Sequence, residues 1–197
     1  MRTDNARAVR HKKLLDLIGT NPLLTDQELA SSLGVSVSTV RLDRGLLSVP
    51  EVRERARLMA EKATSRLRSL KTEDVVGELL ELEPNKGALS VLVGTRDLSF
   101  RHTDIISDYY IYTQASTLAV SAIDCESVVI KGARIFYKEP VRIGERVVAR
   151  AKVGVHKNGE YVVSVHASVE GKEIFTGRFV AAGCSGTEKA QAGGLKK

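Results

Sequence analysis

Residues 25–44, TDQELASSLGVSVSTVRLDR, decide how the N-terminal part of the chain folds. Thr25 can cap a helix, and Glu28 at the third position of that helix completes a capping box. Leu29, Ala30 and Leu33 share one apolar face at helical spacing, and Gly34 follows as a residue able to take the positive φ with which helices commonly end. Ser36 can cap a second helix, with Val37, Val40 and Leu47 packing it inward. Ser38, Thr39, Arg41 and Arg44 are then left for its outer face. The pattern is a helix, a tight turn and a helix, the arrangement that lays one helix in a DNA major groove. Short polar and basic side chains there suit phosphates and base edges. Residues 36–44 are the expected groove reader, with Arg41 and Arg44 as the principal contacts. The bland alternative is a helical hairpin without a ligand.

The charge distribution favours a polyanion partner. The 197 residues carry 30 Lys+Arg against 24 Asp+Glu, a net of +6. Residues 1–71 hold 14 basic and 8 acidic residues, and residues 72–197 hold 16 of each, so the whole excess lies with the helix-turn-helix pattern. A local positive field of this kind is the footprint of a nucleic-acid binder. Nothing resembles a signal-peptide core or an aromatic-rich membrane anchor, and no apolar run approaches the ~20 residues that cross a bilayer. A cytoplasmic protein without a membrane partner is expected. Cys125 and Cys184 form neither a zinc pattern nor a disulfide framework and read as reduced thiols. No P-loop, dinucleotide glycine turn or metal cluster is present. No cofactor is expected.

Working outward, residues 6–20 read as a helix with Val9, Leu14, Leu17 and Ile18 inward. Arg7, Arg10, Lys12 and Lys13 near its start suit either phosphate or an ordinary solvated face. Ser48-Val49-Pro50-Glu51 reads as a further helix start, with Ser48 capping and Pro50 tolerated in the first turn. That helix would run to about residue 70 with Val52, Ala56, Met59, Ala63 and Leu67 on one stripe. Arg53, Arg55, Arg57, Lys62, Arg66 and Arg68 decorate the rest. It reads as a linker whose arginines, Arg53 among them, also suit phosphate. From residue 72 the composition turns to β type. Strands are expected at 75–82 and 88–93 around the turn Pro84-Asn85-Lys86-Gly87, then one helix at 103–123. Ile111, Ala115, Leu118, Ala119 and Ala122 would be its core face. Strands follow at 128–137, 146–156, 161–170 and 172–180, with Asn158-Gly159 as a strong hairpin signal.

Two strands, a helix and four strands fit a curved antiparallel sheet wrapped round one helix, the hot-dog fold, which commonly works as a dimer. The class is α+β. Residues 1–47 form a winged/helix-turn-helix DNA-binding domain and 48–71 an amphipathic linker helix. Residues 72–182 form a hot-dog effector-binding and dimerisation domain, and 183–197 a disordered tail.

Several segments, STVRLDR, SVPEVRERARLMAEK, QASTLAVSAID and VRIGERVVARAKV, resemble the FapR family of bacterial repressors of fatty-acid and phospholipid synthesis. The similarity spans about residues 10–180. It implies a DeoR-like helix-turn-helix, a linker helix and a hot-dog effector domain. It also implies a homodimer on a double-stranded DNA operator, and malonyl-CoA, an acyl-CoA-type small molecule, as the effector that releases the DNA. In the relatives the linker helix docks on the effector domain once ligand is bound. Phe100 matches the family's phenylalanine. Ser107 and Asp108 stand where the family carries Arg-Gly at the start of the central helix, and Ser116 stands where it carries an Asn that also meets the malonyl group. Phe100, Ser107, Asp108 and Ser116 are therefore the candidate effector residues. Arg suits bidentate carboxylate binding, whereas Asp108 repels a second negative charge. Weakened malonyl-CoA binding is expected, with another acyl-CoA, an acyl carrier or nothing as the ligand. Arg101, His102, Lys131 and Arg134 are possible substitute cations.

Hot-dog domains are often acyl-CoA thioesterases. The alternative reading is such an enzyme fused to a DNA-binding domain, or a repressor that no longer senses malonyl-CoA. A hydrolase needs a base on the central helix, and Ser116 stands where many relatives place a carboxylate. Asp108 is the only other acid in the first turns. The chain is read as a non-enzyme, with Tyr109, Tyr110 and Tyr112 as core, pocket wall or dimer contacts and the four histidines as structural or surface residues.

Overall fold

The computed structural model describes residues 2–184, with side chains from 6 to 183. The chain forms two compact units, Met1–Met59 and Ala60–Lys197. In the first, α1 (Arg2–Thr20), α2 (Asp26–Leu33) and α3 (Val37–Leu46) close around Leu14, Ile18, Leu29, Ala30 and Val40. The capping box is formed: Thr25 Oγ1 accepts the Glu28 N–H at 3.3 Å, and the Glu28 carboxylate accepts the Thr25 N–H at 2.7 Å. Gly34 takes φ 66° and ends α2, and Ser36 Oγ accepts the Thr39 N–H at 3.1 Å.

Three local expectations are corrected here. Val9 is 64% exposed rather than inward. Stepping back one helical turn from Leu14 reaches Arg10 and His11, and these face the interior because a carboxylate, Asp43, awaits them. Ser48 caps nothing. It takes φ 52°, and the next helix, α4, is Val52–Thr64. No strand, and so no wing, follows α3 among the described residues of this unit. The linker helix also stops at Thr64 instead of reaching residue 70. Thr64 and Ser65 hydroxyls donate to the Ala60 and Lys62 carbonyls at 2.6 and 2.9 Å, and Arg66 and Leu67 N–H groups turn back three residues to Ala63 and Thr64. Hydroxyls competing for backbone carbonyls, with a tightened last turn, favour an ending there.

The second unit is one antiparallel sheet in the order β1-β2-β4-β5-β6-β3, with α5 (Asp108–Ser121) packed on it. The strands are β1 Glu78–Glu83, β2 Gly87–Val93, β3 Ser127–Tyr137, β4 Arg146–Lys157, β5 Glu160–Val169 and β6 Lys172–Cys184. Register shifts between Leu79 and Glu81, Ile130 and Gly132, Val153 and His156, and Ala167 and Ser168 are bulges of the kind that curve a sheet. This is the hot-dog arrangement. Ile111, Ala115, Leu118, Ala119 and Ala122 are all buried against it, beside Phe175, Phe179, Val147, Val163 and Val165. Asn158 (φ 53°) and Gly159 (φ 75°) make the β4–β5 turn, the geometry of a two-residue hairpin whose twist matches its strands.

The boundaries move for identifiable reasons. Val75 and Val76 pack on the core without joining β1, because a 3₁₀ turn at Thr72–Asp74 and Gly77 at φ 84° precede the strand. The central helix starts at Asp108 instead of 103. Ile106 and Ser107 N–H groups are already given to the Val141 and Leu98 carbonyls at 2.8 and 2.9 Å. Gly183 and Cys184, read as the start of the tail, pair with Val128 and Ser127 of β3. The rest of that expected tail, 185–197, lies outside the described residues.

Candidate nucleic-acid interface and ligand cavity

In the first unit, α3 turns Ser38, Arg41, Leu42, Gly45 and Leu46 to solvent, all exposed on one side of the helix. The Arg41 side chain is 70% exposed, with Nε 3.4 Å from an Asp26 oxygen. Leu42 is 71% exposed. Ser36 is committed to its cap, and its hydroxyl lies 2.8 Å from those of both Ser38 and Thr39. Thr39 is half-buried.

Arg44, expected on the outer face, is not presented there. Its Nε and Nη2 hold the two Asp26 oxygens at 2.7 and 2.9 Å, and Nη1 donates to the Val49 carbonyl at 3.1 Å. Its side chain is 11% exposed. The Arg44 guanidinium, with Arg41 behind it, holds the Asp26 carboxyl below the usual carboxylate range. Arg44 thus ties the recognition helix to the start of α2. Asp43, on the opposite side of α3, is buried and fixes the helix to α1. Arg10 Nε and Nη2 lie 2.6 and 3.1 Å from its oxygens, and His11 Nε2 lies at 2.8 Å. Arg10, read as a possible phosphate contact, is engaged in this pair.

Arg55, read as surface decoration of α4, is also buried. Its three nitrogens donate to the Pro22, Pro50 and Leu24 carbonyls at 2.9, 2.5 and 2.6 Å. Burial pushes this guanidinium down from its ordinary value. Arg53 is exposed on the same helix. Arg57 pairs with Glu54 at 2.6 Å. In the second unit, Arg66 donates to the Leu82 carbonyl and Arg68 pairs with Asp124.

The second unit holds a cavity of about 380 Å³ at the start of α5. Phe100, Ile105, Ile106, Ile111, Val141 and Ile174 make its apolar walls, and Asp108, Tyr137, Lys138 and Glu139 its polar edge. Phe100 and Asp108 are thereby brought together. Ser107 and Ser116 are outside the lining. Ser107 is the N-cap residue of α5 but makes no side-chain capping bond. Ser116 Oγ donates along the helix to the Thr113 carbonyl at 3.2 Å. Asp108 Oδ1 accepts the Tyr109 N–H at 3.0 Å, and Tyr137 OH donates to the Asp108 carbonyl at 3.2 Å. Burial raises the Tyr137 phenol, and the Asp108 charge adds to that.

The substitute cations do not line the cavity. Lys131 pairs with Glu160 at 2.6 Å, Arg134 lies over the Phe136 ring, and Arg101 and His102 are exposed. Tyr109, Tyr110 and Tyr112 also lie outside the lining; Tyr110 and Tyr112 pack on the core. His156 stacks on Tyr161 at 4.0 Å, and His166 meets Glu173 at 2.6 Å. Among the described residues no cluster of His, Cys, Asp or Glu could hold a metal, and no helix is long and apolar enough to cross a membrane.

Two groups escaped the sequence reading. Leu42 had a signal, an apolar residue one turn beyond Ser38 on a polar face. Tyr137, Lys138, Val141 and Ile174 had none. They reach the α5 start only through the end of β3 and the segment after it, where Val141 accepts the Ile106 N–H.

Comparison with known proteins completes the picture. No protein-family model matches the chain. Transcription factor FapR of Thermoanaerobacter sp. (strain X514) is 43% identical over 175 residues, 89% of this chain and 88% of the relative. That of Geobacillus thermodenitrificans is 40% identical, over 86% of this chain and 87% of the relative. That of Halalkalibacterium halodurans is 37% identical, over 87% and 92%. These relatives are named as transcription factors and not as enzymes. Among solved structures, a sigma28-regulated virulence protein from Campylobacter jejuni superposes with a TM-score of 0.58 at 22% identity, covering 64% of this chain and 89% of that one. The phenylacetic acid degradation protein PaaI from Thermus thermophilus gives 0.51 at 21% identity, covering 55% and 93%. At such identities the likeness concerns the fold alone.

Proposed function

The chain belongs to the FapR family of transcription factors, and on that premise we propose that it is a homodimeric repressor of fatty-acid and phospholipid biosynthesis genes, released from its operator by malonyl-CoA or a related acyl thioester. The observation that carries the DNA half is the solvent face of α3. Ser38, Arg41 and Leu42 point outward from a helix that Arg44 and Asp43 lock on two other sides. The surrounding 71 residues hold all the net positive charge.

Arg41 is the principal phosphate or base contact. Ser38 and Thr39 hydrogen-bond at the helix start, Leu42 offers an apolar face to a thymine methyl, and Arg53 adds a phosphate contact. Ser36 and Arg44 organise the motif. The division into a DNA-binding domain at 1–47, a linker at 48–71 and an effector and dimerisation domain at 72–182 belongs to this reading. The effector site is the cavity with Phe100 and Asp108, and Ser107 and Ser116 stand behind it on α5. The dimer would form along the free edge of β3, where Val129 and Phe136 are exposed.

The test is an operator gel shift with DNA from this protein's own lipid-synthesis promoters, with and without acyl-CoA. Specific binding that acyl-CoA reverses is the expected result. Failure to bind those promoters above unrelated DNA would sink the reading.

A further inference from the structure

We propose that the cavity at the start of α5 accepts the acyl group of an uncharged, short acyl thioester and rejects one ending in a carboxylate, with Asp108 as the discriminating residue. This rests on the effector reading above and names the ligand class it takes.

The cavity's charges are already matched, or are negative. Three ionisable side chains of fixed sign line it, one cation and two carboxylates: Lys138, Glu139 and Asp108. The Lys138 ammonium is held by Glu173, whose other oxygen meets His166. Glu139 is paired with Lys172 at 2.7 Å. Arg142, on the turn next to the lining residue Val141, is paired with Asp104 at 2.6 Å. Asp108 alone has no cation among the described residues, only the Tyr109 N–H at 3.0 Å. An α-helix start attracts anions, but here the helix's own first carboxylate already fills that role.

A ligand carboxylate entering this space loses water, meets no free cation and lies beside a like charge. Each of these disfavours it. A methyl-ended chain meets Phe100, Ile105, Ile106, Ile111, Val141 and Ile174 instead, and burial of apolar surface favours it. The volume of about 380 Å³ lies near the small end of ligand pockets, which suits a short chain over a long fatty acyl group.

The experiment is calorimetric titration of the full chain with butyryl-CoA, malonyl-CoA and CoA alone, alongside its binding to operator DNA. Butyryl-CoA is expected to bind at least tenfold tighter than malonyl-CoA and tighter than CoA. Asp108→Asn is expected to narrow the gap between the two thioesters at least fivefold, by strengthening malonyl-CoA. Malonyl-CoA binding as tightly as butyryl-CoA, or tighter, would overturn the proposal and leave the effector reading standing. An unchanged gap in Asp108→Asn would overturn the assignment to Asp108. Binding of none of the three by a protein that still holds its operator would overturn the effector reading itself, and the proposal with it.

Discussion

The Asp43 pair is the sharpest place to test how the recognition helix is held. The Asp43 side chain is 4% exposed, and Arg10 and His11 meet its two oxygens at 2.6, 3.1 and 2.8 Å. Removing one partner of a buried pair costs roughly 3–5 kcal/mol, because the other charge is stranded. Arg10 keeps 25% of its side chain in solvent and can rehydrate, which brings Asp43→Ala down to about 2–3 kcal/mol. In a domain of this size each kcal/mol moves the midpoint by roughly 4–8 °C, so helix melting should fall by about 10 °C or more.

Urea and thermal melts by far-UV circular dichroism on Asp43→Ala, Arg10→Ala and the double variant give the coupling energy, expected at about 1–3 kcal/mol. A coupling below about 0.5 kcal/mol, the value of an ordinary exposed pair, would refute the claim that this pair holds α3 on α1. The pH dependence follows with a definite sign. Arg10 first, then His11, hold the Asp43 carboxyl below its usual range against the opposing effect of burial. A depressed carboxylate contributes stability above its unfolded value, near ~3.9, and loses that stability as pH falls through the lower folded value. The pair is therefore intact at neutral pH and its contribution disappears only in acid, below about pH 4.

Other perturbations separate DNA contact from scaffolding. Arg41→Ala should weaken operator binding, by about 1–3 kcal/mol if it reads a base, without lowering the melting midpoint; unchanged gel-shift affinity would contradict its role. Arg44→Ala should instead destabilise the first unit by about 1–3 kcal/mol, because Asp26 loses its bidentate partner, and an undiminished urea midpoint would refute that. Arg55→Met leaves the Pro22, Leu24 and Pro50 carbonyls without their donors and should cost about 2–4 kcal/mol in the same melts. A cost within error would show that the three bonds are dispensable. In the sheet core, Gln114 Oε1 is buried with no partner among the described residues, and Gln114 Nε2 reaches Ser90 Oγ at 3.2 Å. Replacing both, Gln114→Met with Ser90→Ala, should leave stability equal or higher, since removing both members of a buried polar pair can be neutral or favourable. A loss above about 1 kcal/mol would oppose that account.

Periodicity and capping chemistry made the elements legible. The Thr25–Glu28 box, Gly34 and the Ser36 cap are each satisfied within a few residues, so short-range pattern sufficed to place α2 and α3. The Asn158-Gly159 turn is local in the same way. The α5 face from Ile111 to Ala122 was legible because one helix must bury one stripe somewhere. Legibility ended wherever a long-range partner chose the outcome. Arg10, Arg44 and Arg55 carry a charge that suits a solvated face or a phosphate equally well. What buried them was Asp43, Asp26 and three carbonyls, 5 to 33 residues away. The start of α5 moved because Leu98 and Val141, on other elements, claimed the backbone of Ile106 and Ser107.

Residue order alone thus settled the kinds of element, their sequence and the placement of net charge, since these depend on local hydrogen bonding, spacing and sums. The tertiary structure alone decided which cations remain free for a polyanion, because an ion pair depends on where the second charge lies. It also decided what surrounds Asp108, because the walls of that cavity come from chain segments that only folding brings together.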